Sequence, residues 1–134
     1  MGAWGVGTFE NDSAADFVWA VGDRPSIATI MVPIETLIEA VRTGDDLDSG
    51  LCEEVNAAAE LLAALRYGDR SALSPSALEV IAKLREKPTD AQMDQARAIV
   101  DRIARDSELS EAFAESDSFE TWQAAMSALR TRLG

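Results

Sequence analysis

Residues 51–65 read LCEEVNAAAELLAAL, and this stretch decides the fold. Its apolar side chains recur at intervals of four and three residues, which places them on one face of an α-helix. They are Leu51, Val55, Ala58, Leu62 and Leu65. Alanine and leucine fill most of the other positions, and a helix that is apolar on nearly all sides is usually buried on most of them. We therefore predict a central helix over residues 50–67, with Gly68 as its carboxyl-terminal cap.

Two further helices are predicted before this segment. The spacing of apolar residues favours helices over 12–22 and 26–43. Pro33 lies inside the second of them, and because proline removes a backbone donor we expect a kink or two helical pieces there. Residues 26–32 would also tolerate an extended chain, since several of them are β-branched.

Four helices are predicted after the central one. Their starting signals are Ser74 followed by proline, the Thr89 capping box, a short apolar pattern over 109–114, and a capping pair formed by Asp117 and Glu120. No segment alternates apolar and polar residues well enough to indicate a strand. We predict an all-α, compact single domain over residues 1–134, a bundle of about six to seven helices.

The first eleven residues, MGAWGVGTFEN, do not follow a helical pattern. Three glycines alternate there with Trp4 and Phe9. Glycine costs conformational entropy unless the folded structure needs the missing side chain. Two large aromatic residues favour a segment that is packed against the core. We predict an ordered glycine-rich N-terminal arm over residues 1–11, packed on the helices.

The charge of the chain is strongly and unevenly negative. The net charge is −12, with 24 acidic residues against 12 basic ones. Residues 1–65 hold twelve of the acidic residues and only two basic ones, Arg24 and Arg42. The negative electrostatic field of these residues repels phosphate backbones, so direct binding of nucleic acid is disfavoured. The negative charge favours binding of a basic protein or a cation, or it only keeps the protein soluble.

The cysteine content and the hydropathy pattern indicate the compartment. Cys52 is the only cysteine, so no internal disulfide can form and the chain suits a reducing environment. No stretch approaches the roughly 18 apolar residues of a membrane span, and the N-terminus lacks the basic start of a secretory signal. We expect a cytoplasmic protein that does not contact a membrane.

Three stretches of the sequence resemble a known family. They are MGAWGVGTFENDSAADF at 1–17, NAAAELLAAL at 56–65, and DSELSEAFAES at 106–116, which is followed by Trp122 and a closing Leu-Arg pattern. In these the chain resembles the bacterial DUF4259 family over its whole length. Phe113 stands where the family often has tryptophan, an exchange that keeps an aromatic side chain. The resemblance supports the predicted fold and implies no established activity.

Few residues are available for catalysis. The chain has no histidine, which removes the commonest general base, the usual zinc ligand and the ordinary serine or cysteine triad. A single cysteine also excludes a thiolate metal site. The pair Gly5 and Gly7 is not a phosphate loop, because no strand precedes it and acidic residues follow it. The sequence predicts no catalytic residues and no cofactor.

The turn GDDLDSG at 44–50 has the look of a calcium loop. With Gly50 at the sharp turn, Leu47 takes a position that requires an oxygen ligand, and Asn56 takes the position of the closing glutamate. The turn therefore fails as an EF-hand, and a solvated turn is the better interpretation. Only a weak candidate site for a hard cation remains, formed by Asp45, Asp46 and Asp48.

The central helix carries one narrow polar strip. At about 100° per residue, its members fall on one face: Glu53, Asn56, Glu60 and Tyr67. The simplest expectation is that the strip faces water. Alternatively, Glu60 is partly buried and accepts hydrogen bonds from amides of the arm or from the indole of Trp4. A catalytic role ranks last, because the sequence places no second acid beside Glu60.

Helix 12–22 carries two features of interest. Trp19 points away from the apolar face, and we expect the arm to fold back over it; otherwise Trp19 is exposed and marks a contact surface. The polar residues Asn11, Asp12 and Asp16 most simply cap the helix. The alternative is an acidic cluster that binds a cation or an arginine.

Three functions are compatible with these observations. The first is a small acidic, non-catalytic binding protein, an immunity-like or regulatory module for a basic protein partner. Its candidate binding residues are Trp4, Asn11, Asp12, Asp16, Trp19, Glu53 and Glu60. The second is an oligomerising structural domain without a ligand, so the chain is expected to be a monomer or a small homo-oligomer. The third is a carboxylate and divalent-metal hydrolase built around Glu53, Glu60 and the turn at 45–48.

Overall fold

A computed structural model describes residues 5–134. Seven helices fill those residues: α1 (Asp12–Asp23), α2 (Ile27–Thr43), α3 (Ser49–Tyr67), α4 (Pro75–Ala82), α5 (Asp90–Arg105), α6 (Glu108–Ala114) and α7 (Phe119–Arg132). The predicted all-α class is confirmed. Helix α4 begins directly after the predicted cap, Ser74, whose side chain accepts a hydrogen bond from the N–H of Ala77.

Helix α3 lies at the centre of the fold and contacts each of the other six helices. Every residue from Val55 to Ala64 is buried, so this stretch is enclosed on all sides. Its alanines leave little side-chain volume between helix axes, which lets the neighbouring helices approach closely. The prediction of a central buried helix is correct.

Helices α1 and α2 begin at side-chain caps. The Oδ1 of Asn11 accepts from the backbone N–H of Ala14 at 2.7 Å, and Ser26 caps α2 in the same way. Helix α2 runs through Pro33 as one helix, so of the two predicted outcomes, a kink or two helical pieces, the division into two pieces is wrong. The burial of Ile30 and Ile34 on either side of the proline outweighs the backbone hydrogen bond that it removes.

The last helices begin less regularly than the sequence suggested. The capping box of Thr89 and Gln92 at the start of α5 is confirmed. The capping pair predicted from Asp117 and Glu120 is wrong. Ser118 is the N-cap residue of α7, and its side chain makes no hydrogen bond to the helix. The rings of Phe119 and Trp122 stack in the first turn of α7, with their centroids 6.2 Å apart.

The described part of the N-terminal arm forms a tight loop before α1. The N–H of Gly7 donates to a carboxylate oxygen of Glu10 at 2.9 Å, and the N–H of Glu10 donates to the carbonyl of Gly7 at 3.0 Å. A Cβ atom at Gly5 would lie 2.6 Å from that carboxylate, so a larger residue there would displace the exposed side chain of Glu10. Val6 and Phe9 pack against the hydrophobic core. The candidate residue Trp4 lies outside the described residues.

Candidate functional site

Glu60 lies in the interior and is paired with an arginine. It is 2% exposed. The Nε and Nη2 atoms of Arg132 donate to its two carboxylate oxygens at 2.7 and 2.5 Å, and the hydroxyl of Thr8 donates to one of them at 3.3 Å. The hydrogen bond to Glu60 is also the main cause that raises the pKa of Arg132. The expectation that the polar strip faces water is wrong for Asn56 and Glu60, which are buried, whereas Glu53 is half-buried and Tyr67 is exposed.

The burial of Glu60 confirms the second interpretation of this residue only in part. The carboxylate does accept a hydrogen bond from the arm, but from the Thr8 hydroxyl and not from the amide of Gly5 or Gly7. Its main partner, Arg132, was missed. The two hydrogen bonds are bidentate and hold the carboxylate in place, and the guanidinium charge neutralises it, as is usual for a buried acid. The pair joins α3 to the last turn of α7, so we assign Glu60 a structural role.

Asn56 lies one turn before Glu60 and is also buried, at 5% exposure. Its Nδ2 atom contacts the sulfur of Met126 at 3.3 Å. Its Oδ1 atom has no hydrogen-bond donor among residues 5–134. Asn56 lines a cavity of about 20 Å³ that is enclosed by the arm, α3, α6 and α7, and Glu53 and Trp122 line it as well. This volume admits one water-sized group.

Beside this cavity, α1, α3 and the turn before α3 bring together five carboxylates, which we call the acidic face: Asp12, Asp16, Asp48, Glu53 and Glu54. Burial, and after it the charges of Asp12 and Asp48, raise the pKa of Glu53. Burial, and after it the charges of Asp48 and Asp16, raise the pKa of Glu54. These shifts show that the carboxylates are close enough to repel one another.

No member of the acidic face takes part in an ion pair within the described chain. The ion pairs between residues 5 and 134 all involve other acidic residues, including Asp90, Asp101 and Glu60. The first half of the chain contains few basic residues, and for this reason most of its carboxylates have no basic side chain nearby. Among residues 5–134, the negative charge of the acidic face is therefore not compensated by ion pairs.

The outer surface of α1 extends the acidic face with an aromatic residue. Asp12, Asp16, Trp19 and Asp23 follow one another at intervals of four, three and four residues and are all exposed, so they form one stripe along the helix. We call it the α1 stripe. Trp19 is 76% exposed. The expectation that the arm covers Trp19 is wrong in the described residues, because Val6 and Phe9 pack against the core instead.

The other predicted site residues have local structural roles. Asn11 is buried and caps α1, and its Nδ2 atom donates to the carbonyl of Thr8 at 3.3 Å. Asp48 caps α3 by accepting from the N–H of Leu51 at 3.0 Å, while Asp45 accepts from the hydroxyl of Thr43 at 2.8 Å. In residues 5–134 no three acidic, cysteine or histidine side chains are placed to hold a metal ion. The weak cation site at Asp45, Asp46 and Asp48 is therefore not formed.

Cys52 lies in the first turn of α3, and its side chain is buried in the core. Burial raises the pKa of its thiol to about 12. Since the thiolate is the nucleophilic form, Cys52 has a packing role and not a chemical one.

The comparisons with known proteins bear on the family and not on the activity. Each helix within the described residues is too short or too polar to cross a lipid bilayer. No curated protein and no solved structure matches the chain. A family model, described as a domain of unknown function (DUF4259), matches residues 2–125, a range that includes the acidic face, the α1 stripe and Glu60. The resemblance seen in the sequence is confirmed, and the chain belongs to the DUF4259 family.

Proposed function

We propose that this protein is a small acidic, non-catalytic binding protein that docks a basic protein partner on its acidic face and α1 stripe. The observation that carries the proposal is the cluster of five carboxylates, which form no ion pair with any residue from 5 to 134, next to the exposed indole of Trp19. An immunity-like or regulatory role follows from this binding mode, since such a module acts by masking the basic surface of its partner.

The electrostatics of the acidic face support a cationic partner. Glu53 and Glu54 are half-buried, and their pKa values are raised by burial and by neighbouring carboxylates. Arginine or lysine side chains from a partner would compensate this repulsion on binding. Complementary charge also accelerates association and makes it sensitive to salt.

Trp19 gives the surface an apolar anchor. Tryptophan is enriched among the residues that contribute most to protein interfaces, because it buries a large area and has one polar atom. Its flat ring also accepts the guanidinium or ammonium group of a basic partner in a cation–π contact. Asp16 and Asp23 flank Trp19 on the α1 stripe, so one basic residue can contact both ring and carboxylate.

The setting of this function is part of the proposal. A bacterial cytoplasm suits a chain with the family's features, whose only cysteine is buried and unpaired. The partner is a protein and not a nucleic acid, because a net charge of −12 opposes phosphate backbones.

The experiment compares three baits in a lysate of the source organism. They are the wild-type protein, the variant D12N/W19A, and the control E35Q/E120Q, which alters two exposed glutamates on α2 and α7. Retained proteins are quantified by mass spectrometry at low and at high salt. We expect a basic protein that the wild type and the control retain at low salt, and that D12N/W19A and high salt both release.

Two outcomes contradict the proposal. One is the absence of any protein that distinguishes the wild type from D12N/W19A. The other is a retained protein that is insensitive to salt, because charge would then not govern the contact.

The alternative is an oligomerising domain, and the exposure of Trp19 is the observation that favours it. An indole that is 76% exposed could be covered by a second copy of the chain. Light scattering distinguishes the two functions. A wild-type dimer that becomes monomeric in W19A supports the alternative, whereas a monomer in both leaves a separate partner as the explanation.

A further inference from the structure

We propose that an open pocket between the ends of α3 and α4 binds a small soluble ligand that carries a phosphate group on an organic body. Four basic side chains and one acidic one line this pocket, which we call the basic pocket: Arg66, Arg70, Arg85, Lys87 and Glu86. None of them belongs to the acidic face or to the α1 stripe. The inference therefore does not rest on the proposed function.

The basic pocket runs against the overall charge of the chain. The chain has 12 basic residues and a net charge of −12, yet four of the basic residues line this one pocket. Arg70, Arg85 and Lys87 are exposed and form no ion pair with any residue from 5 to 134. Like charges that share a pocket repel one another, so an anionic ligand would relieve this repulsion.

Arg66 is already held in place by the fold. Its Nη1 atom donates to the carbonyl of Pro88 at 2.8 Å, and its Nη2 atom pairs with Asp90. A guanidinium group has five N–H donors, so these two contacts leave others for a ligand. Since the side chain is fixed beforehand, less conformational entropy is lost on binding. The planar fork of arginine also matches the oxygens of a phosphate group.

The acidic residues near the basic pocket do not cancel its charge. Asp90 is engaged by Arg66, and the carboxylate of Asp69, which does not line the pocket, is hydrogen-bonded within its own loop. Glu86 accepts from the N–H of Ile27 at 3.3 Å. Even with Asp90 and Glu86 counted against the four basic side chains, two positive charges remain in excess. A phosphate monoester carries about −1.5 to −2 charges at neutral pH and balances this excess.

The acidic face lies too far away to prevent the binding of an anion. Glu53 and Arg66 are 13 residues apart on α3, which corresponds to about 20 Å along the helix. Salt screens charges over about 8 Å at physiological ionic strength, so the repulsion across this distance is weak. An anionic membrane or a nucleic acid would extend beyond the pocket and meet the negative charge of the whole chain. A small soluble ligand avoids this repulsion.

The remaining lining favours a ligand with an organic body. Leu65, Ile81 and Leu84 line the basic pocket, and so does Tyr67, which is 54% exposed. The volume of the pocket is about 340 Å³, which is in the range of pockets for small organic molecules and too large for a single ion. Apolar and aromatic surface beside the basic groups suits a phosphate group attached to a flat ring.

The test follows the amide NMR spectrum of the full chain while phenyl phosphate is added at neutral pH. It yields a dissociation constant and shows which residues contact the ligand. Phenyl sulfate has the same ring but one negative charge, and inorganic phosphate has no ring. The variant R70Q/R85Q removes two charges from the basic pocket. Its matched control is R24Q/R105Q, which removes two exposed arginines that line no part of the pocket and form no ion pair within residues 5–134.

We expect phenyl phosphate to shift the signals of residues that line the basic pocket. R70Q/R85Q should bind it at least about tenfold more weakly than the wild type, because two charge-assisted hydrogen bonds are lost. The affinity of R24Q/R105Q should stay within about twofold, since distant charges are screened. Phenyl sulfate and inorganic phosphate should each bind more weakly than phenyl phosphate. Circular dichroism verifies that both variants are folded.

Four results overturn the inference, and the proposed function survives each of them. Equal losses in the two variants would mean that net charge, and not the pocket, governs binding. Phenyl sulfate that binds as well as phenyl phosphate would exclude recognition of a phosphate group, and inorganic phosphate that binds as well would exclude a contribution of the organic body. Finally, the basic pocket is not the site if millimolar phenyl phosphate shifts no signal, or only signals elsewhere.

Discussion

Glu53 and Glu60 lie seven residues apart on α3, about two turns, and their surroundings are opposite. Glu60 is buried and forms forked hydrogen bonds with Arg132. Glu53 is half-buried, and its carboxylate neighbours raise its pKa in addition to burial. Within residues 5–134, Glu60 is thus compensated by an arginine of α7, whereas Glu53 has no ion-pair partner and lies near an aspartate of α1.

This comparison separates stability from recognition along one helix. A fully buried carboxylate requires a partner within the fold, since an unpaired charge there would cost several kcal/mol. A half-buried carboxylate such as Glu53 keeps part of its solvation, so its repulsion from neighbours costs less than an unpaired charge in the interior, and a binding partner can still reach it. The Glu60 end of α3 therefore holds the fold together, and the Glu53 end is where we place binding.

The largest predicted effect follows from breaking the compensated pair. The variant Arg132→Met leaves the Glu60 charge buried without its arginine, and we expect the free energy of unfolding to fall by about 3 kcal/mol. Urea unfolding followed by circular dichroism measures this change. The double variant E60L/R132M replaces the pair by apolar side chains and should recover most of the loss.

A matched control lies two residues before Arg132. Arg130 pairs with Asp101 at 3.0 Å, but both side chains are well exposed, so R130M should cost less than about 1 kcal/mol. Equal losses in R130M and R132M would contradict the comparison, because burial would then not decide the contribution of an ion pair.

Sequence patterns predicted α3 well because its signal is local. Apolar spacing gave the bounds of α3 to within one residue, and the density of alanine and leucine indicated burial on most sides. The partner of Glu60 could not be predicted in this way. Arg132 is 72 residues away, and the polar strip fits a face in contact with water as well as a face covered by α7.

The candidate site was predicted in part. The excess of acidic residues in the first half was visible in the composition, and Asp12, Asp16 and Glu53 were named as candidates. Their convergence with Glu54 and Asp48 depends on how α1 packs against α3, which no local pattern encodes. Trp19 was assigned to the wrong alternative for the same reason, since the path of the arm is set by tertiary contacts.

A smaller effect concerns Asn56, which lies between the two glutamates. The substitution Asn56→Leu removes a buried acceptor without a donor, so we expect the free energy of unfolding to rise by about 1 kcal/mol. The variant N56D has nearly the same size but adds a buried charge near Glu53, and it should be clearly less stable than the wild type. Urea unfolding compares the three proteins. A loss of stability in N56L would mean that Oδ1 is paired in solution.

The smallest effect tests the uncompensated end of α3 through its pH dependence. Burial and neighbouring carboxylates raise the pKa values of Glu53 and Glu54 above the ordinary value of 4.5 in the folded protein. Just above pH 4.5 the folded state therefore binds more protons than the unfolded state, and its stability decreases as the pH rises through the raised values. The variant E53Q/E54Q lacks these groups. Relative to this variant, the free energy of unfolding of the wild type should fall by up to about 1 kcal/mol between about pH 4.5 and neutrality, and by less at high salt.

Urea unfolding at several pH values measures this difference, with E35Q/E120Q as the charge-matched control. A difference that stays constant or rises with pH would show that the carboxylates of the acidic face do not repel one another.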